Sequence, residues 1–182
     1  MSIKNLSKFP CQILELNLSC FGCCRRDWKS KKLIFEDLNE NTKEFNKIKQ
    51  KSILRLLEFR DRLSENPDDL TNSGLCSNLI QFKNNIIACP LHPQIQKLIP
   101  KSIFLAPHKK DLRVNHCDIN YECETFKLWK KLSKTEKEKF IEFIKKEKQD
   151  PYSYSIKNVN GVNVKKYLKL SEKNKINKIE NN

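Results

Sequence analysis

Apolar residues are spaced at helical intervals in two places along the chain. Between Glu36 and Glu65, Leu38, Phe45, Ile48, Leu56, Phe59 and Leu63 fall on one broad stripe. Three to four apolar positions per two turns describe a helix with one face on a core. Asn66-Pro67-Asp68-Asp69 then breaks the pattern. Further on, Ser133 and Glu136 have the spacing of a capping box, and Phe140, Ile141, Phe143 and Ile144 supply a helical face behind them. That helix is predicted to end near Gln149, ahead of Asp150-Pro151.

Elsewhere the pattern is shorter-ranged. Residues 1–34 have no sustained helical period. In residues 73–92 two short apolar runs flank a polar turn at 81–85, an arrangement that can pair as a hairpin. The prolines at 93, 100 and 107 predict a surface-wrapping stretch with at most a short helix. Asn160-Gly161 between two valines is a turn signal for a small hairpin. From about Glu172 the chain is polar and rich in Lys and Asn, which predicts disorder. Three segments follow: a domain over 1–150, an extension over 151–171 and a basic tail over 172–182.

The charge changes this picture little. The net charge is +14, and from Lys130 onward 15 lysines stand against 7 acidic residues, which places +8 of it in the last third. Such an excess attracts nucleic acid or acidic partners in general, but it does not surround the chemically distinctive residues, so nucleic-acid binding is not favoured. No stretch approaches the roughly 18 apolar residues that a bilayer crossing requires. Met1 to Leu18 lack the continuous apolar run of a secretory signal. A soluble cytoplasmic protein is expected. With only three glycines, Gly22, Gly74 and Gly161, the chain contains no phosphate loop, dinucleotide fingerprint or nucleophile elbow.

The eight cysteines, at 11, 20, 23, 24, 76, 89, 117 and 123, change it most. In a reducing compartment such a density points to metal ligation or thiol chemistry before disulfides. Cys23 and Cys24 have Cα atoms about 3.8 Å apart, too close for an unstrained disulfide, so each faces a different neighbour. Cys20-Phe-Gly-Cys23 is a C-x2-C turn, in which two sulfurs converge on one ion, and Gly22 permits the tight backbone. Cys76 follows Gly74, Cys89-Pro-Leu-His92 is a C-x2-H arrangement, and Cys117 and Cys123 complete the series. Thiolate-rich sites suit iron–sulfur clusters or zinc. Four ligands satisfy a tetrahedral zinc or one [4Fe–4S] cluster, and spacing alone does not apportion the eight.

Cys20-x2-Cys23-Cys24, Gly74-x-Cys76-x2-Leu79, Cys89-x2-His92-Pro93 and Tyr121-x-Cys123-x-Thr125-Phe126 together resemble, in their order, the CxxCxxCC (YkgJ-like) family, described as zinc- or iron-chelating domains. The resemblance spans scattered motifs between residues 11 and 126. It implies Cys20, Cys23, Cys24, Cys76, Cys89 and Cys123 as metal ligands. Cys117 and His92 join them from the spacing of soft ligands. Cys11, separated from Cys20 by eight residues, is left outside the set.

The expected fold is mainly α, with irregular cysteine-rich loops around a metal site and a small β-hairpin. The leading functional expectation is an iron–sulfur protein, most simply [4Fe–4S], serving a redox or enzyme-associated role with a redox or protein partner. The alternative is a structural zinc module that binds nucleic acid or protein through its basic C-terminal region. A thiol enzyme using Cys89/His92 or His116/Cys117 is the third class.

Overall fold

The computed structural model describes residues 9–24, 28–49, 51–63, 70–82, 86–96 and 111–180. Contacts divide the chain into two compact units. One is discontinuous, built from residues 1–23 and 122–182; the other comprises Cys24–Tyr121. The expected boundary after residue 150 therefore falls inside the first unit.

The first unit opens with a two-stranded antiparallel hairpin. Strands β1 (Gln12–Ile13) and β2 (Leu18–Ser19) are joined through a 3-10 turn at Leu14–Leu16, with Asn17 at a positive φ of 51°. Four helices complete it: α4 (Glu124–Lys131), α5 (Lys134–Glu147), α6 (Pro151–Val159) and α7 (Val162–Glu180). Ser133 and Glu136 form the expected capping box. The Glu136 N–H donates to Ser133 Oγ at 3.3 Å, and the Ser133 N–H donates to Glu136 Oε2 at 2.8 Å. Asp150 caps α6 and Pro151 occupies its first turn, where a missing N–H costs nothing.

Asn160-Gly161 joins two helices and not two strands. Gly161 adopts φ +71°, the left-handed conformation that ends a helix as readily as it turns a hairpin. Helix α7 runs to Glu180, through residues that their composition marks as a tail. Its Val164 and Tyr167 provide the reason: they are buried with Ile13, Leu18, Trp129, Leu132, Phe140, Ile144 and Tyr154 in one core. Trp129, Phe140 and Tyr167 pack there as edge-to-face pairs with centroids 5.6 and 5.7 Å apart, an arrangement aromatic quadrupoles favour.

The second unit contains α1 (Lys31–Lys47), α2 (Ile53–Asp61), the antiparallel pair β3 (Ile80–Gln81) and β4 (Ile87–Ala88), and the single turn α3 (Pro93–Gln96). The hairpin expected in 73–92 is thus present as β3 and β4. The stripe expected as one helix is two. Ser52 accepts the Arg55 N–H and starts a new helix, while Leu38, Phe45, Leu56 and Phe59 keep the predicted inward face. Asn66–Asp69 lie outside the described residues. Phe45, Leu56 and Phe59 pack with Ile80, Ala88, Leu91, Ile95 and Leu112 in a core of this unit's own. The Arg62 guanidinium sits 3.8 Å from the Phe59 ring centroid and bonds Asn41 Oδ1, Asn78 Oδ1 and the carbonyls of Phe59 and Ser77.

Asp37 of α1 ties this unit's loop to its helix by accepting the Ser73 N–H at 3.0 Å. Burial alone pushes its carboxyl upward, but bonds from Thr71 and Ser73, with Lys29 nearby, outweigh that and lower it. A carboxylate depressed below its unfolded value of about 3.9 contributes stability above that pH and loses it as the folded group protonates. Asp37→Asn is therefore expected to cost about 1 kcal/mol at pH 7, after allowance for solvent screening. The gap from wild type should close below pH ~4; urea unfolding at pH 7 and pH 3 measures both.

Candidate metal centre

All eight cysteines are free thiols. The fold distributes them evenly: Cys11, Cys20, Cys23 and Cys123 lie in the first unit, and Cys24, Cys76, Cys89 and Cys117 in the second.

In the first unit the hairpin does the initial work. Gln12 faces Ser19 and Ile13 faces Leu18, so the next pair outward is Cys11 and Cys20. The Cys20 N–H donates to the Cys11 carbonyl at 2.8 Å. Directly opposed residues of an antiparallel pair have Cβ atoms about 4.5–5.5 Å apart. Cys11 is thereby placed beside Cys20 by register, a relation that the eight intervening residues conceal in the sequence.

Helix α6 then seats the C-x2-C turn. The Phe21 N–H donates to Ser155 Oγ at 3.1 Å, the Cys20 thiol lies 3.9 Å from the Ser155 carbonyl, and Ser155 Oγ reaches the Ser19 carbonyl at 3.3 Å. Gly22 is pressed against the same helix. A Cβ there would lie 2.5 Å from the Ser155 carbonyl oxygen and 2.8 Å from Val159 Cβ. The Tyr154 hydroxyl and the Asn158 amide both donate to the Pro10 carbonyl, at 2.6 and 2.9 Å. The opposite end of α6 holds the fourth cysteine's segment, because Thr125 Oγ1 donates to the Asn158 carbonyl. Cys123 is the residue that opens α4. One short helix thus positions both cysteine-bearing segments.

The electrostatics reflect this gathering. Burial raises the Cys11 thiol well above its ordinary value, and the neighbouring Cys20, Cys23 and Cys123 raise it further. Burial, then Cys23, pushes Cys20 up to about 12, against the opposing Gly22 N–H. Cys123 is raised by burial and by Cys23, and partly relieved by the N–H groups of Phe126 and Thr125 at the start of α4.

In the second unit the Cys76 N–H donates to the Cys24 carbonyl at 3.0 Å. The Asn41 amide donates to the Cys76 carbonyl at 3.4 Å, and the turn closed by Leu79 N–H leads into β3. Cys89 immediately follows β4, directly opposite Leu79 in the strand register. Burial raises its thiol, as does Cys76 and, more weakly, Cys117, while Arg113 opposes them. The Arg113 guanidinium is held by Asp111 at 2.6 and 2.9 Å, and the Cys117 thiol lies 4.0 Å from the Arg113 carbonyl.

His92 stands differently from the thiols. Its Nδ1 accepts the Gln94 N–H at 3.1 Å, which puts the ring proton on Nε2 and leaves neither nitrogen open to an ion without loss of that bond. His116 Nε2 pairs with Asp61 Oδ1 at 2.9 Å.

Among the described residues no three Cys, His, Asp or Glu side chains already converge in ligating geometry. No described helix is long and apolar enough to cross a membrane. Compared with models of known protein families, with curated proteins and with solved structures, the chain matches none.

Proposed function

We propose that this chain is a metal-thiolate protein of a reducing, cytoplasmic compartment, with an iron–sulfur cluster, [4Fe–4S] in the simplest case, as its favoured occupant. The observation that carries the reading is the seating of Cys20, Cys23 and Cys123 by one helix, with Cys11 opposite Cys20. A lone buried thiol is an ordinary small core residue. Cys20, Cys23 and Cys123, with Cys11 opposite Cys20, place four thiols in one unit as a soft, all-sulfur donor set. Such a set suits iron–sulfur clusters and zinc and is unsuited to hard cations.

The donor chemistry fits the group. Cysteine thiolates would hold it, and the Thr125 and Phe126 N–H groups beside Cys123 would offset its negative charge. The resemblance of Cys20, Cys23 and Cys123 to positions of the CxxCxxCC pattern points in the same direction. A bound cluster supplies one-electron chemistry, which leads to a redox or enzyme-associated role with a protein partner. The basic C-terminal helices give nucleic acid a weaker claim, since Lys130, Lys165 and Lys166 each sit against a carboxylate.

The test is anaerobic purification followed by absorption spectroscopy and assay of iron, zinc and acid-labile sulfide. A brown protein with broad absorption near ~400 nm and equal iron and sulfide is expected. A colourless protein with stoichiometric zinc would replace the cluster with a structural ion. A folded chain free of both metals defeats the proposal.

A further inference from the structure

We infer that the chain carries two separate metal centres, one per unit: Cys11, Cys20, Cys23 and Cys123 hold the first, and Cys24, Cys76, Cys89 and Cys117 hold the second. The inference rests on the metal-thiolate reading above and adds the number of centres, their ligands and a role for Cys11.

Three independent observations lead to this division. The first is topological. The boundary between the units falls between Cys23 and Cys24, so two adjacent cysteines belong to different bodies. The pair is too close to be cross-linked without strain. The second is the count. Each unit holds four cysteines, the number that completes a tetrahedral zinc or a [4Fe–4S] cluster.

The third is local geometry. In the first unit the hairpin register sets Cys11 against Cys20, the C-x2-C turn adds Cys23, and α6 brings in the α4 start that bears Cys123. In the second, a backbone bond joins the Cys24 and Cys76 segments. Cys89 follows β4, and Cys117, whose N–H bonds the Arg113 carbonyl, follows Leu112, whose own N–H bonds the Leu91 carbonyl.

His92 has no place in either set, since its Nδ1 is committed to the Gln94 N–H. Each thiol that ligates gives up its proton, so filling one centre releases up to four protons to solvent.

Metal content per chain reads the division directly. Wild type reconstituted with zinc alone should bind two equivalents, and reconstituted with iron and sulfide it should hold twice the content of one cluster. Cys11→Ser and Cys24→Ser should each halve that content, and the double variant should abolish it. Alkylation with iodoacetamide under native conditions, followed by mass spectrometry, gives a readout that needs no variant. All eight thiols of the loaded wild type should be protected, and all eight should react after metal removal.

One equivalent in wild type overturns the division, as does alkylation of Cys11 or Cys24 in the loaded chain, or full metal content in Cys11→Ser. Complete loss in either single variant also overturns it, because separate centres must fail separately. No metal in wild type defeats the metal-thiolate reading itself, a result distinct from all of these.

Discussion

Removing the metal from the loaded chain is expected to lower its melting temperature by about 10–20 °C. Structural zinc contributes roughly 10–16 kcal/mol in small metal-dependent domains, on the scale of a whole domain's net stability of about 5–15 kcal/mol. Here part of each unit survives without it. The Trp129–Phe140–Tyr167 core and the Phe45–Leu56–Phe59 core are buried independently of any thiol. A net loss of about 5 kcal/mol remains reasonable, and at about 2–4 °C per kcal/mol for this chain length it gives the stated shift. The expected apo state retains helical circular dichroism and loses protection of the Pro10–Cys23 segment in hydrogen exchange. A stripped chain that melts where the loaded one does would show that the thiols cross-link nothing.

Gly22→Ala is the second large effect. The added methyl would meet the Ser155 carbonyl oxygen at 2.5 Å and Val159 Cβ at 2.8 Å. One obstacle is backbone, so rotamer changes cannot relieve it. The turn must lift from α6, straining the Phe21–Ser155 bond and carrying Cys20 and Cys23 with it. Overpacking of this kind costs about 3 kcal/mol, a fall of roughly 6–12 °C. The zinc affinity of the first unit should weaken while that of the second is unchanged, which competition with a chromogenic chelator resolves. A variant with wild-type melting and both affinities intact would place Gly22 outside the site's support.

Where neighbours in sequence decided the structure, the sequence could be read. The Ser133–Glu136 box, the inward face of Leu38, Phe45, Leu56 and Phe59, and the β3–β4 hairpin each depend on spans short enough for periodicity to carry them. The failures have a common cause. Asn160-Gly161 specifies a left-handed turn residue, which serves helix–helix and strand–strand connections equally, and the neighbouring valines gave no vote between them. Helix α7 is stabilised by burial of Val164 and Tyr167 on α5 and α4 residues, which outweighs its Lys/Asn-rich composition.

Cys11 was legible only through strand register, and the partition of eight cysteines only through contacts such as Tyr154 to Pro10, 144 residues apart. The candidate ligands themselves were visible because thiols are scarce and chemically singular. Their grouping was not, because it is a property of the tertiary fold.

The discontinuity of the first unit also bears on its history during synthesis. Ser155, which holds Phe21, is translated 134 residues after it. At about 5–20 residues per second, the N-terminal hairpin waits roughly 7–27 s for its seat. Throughout that interval the thiols of Cys11, Cys20 and Cys23 stand without the helix that seats their segment. Cys24–Tyr121 is meanwhile complete as a body. The order of maturation is therefore written into the connectivity: the inner segment closes first, and the chain's beginning stays exposed to stray oxidants and competing ions until its end arrives.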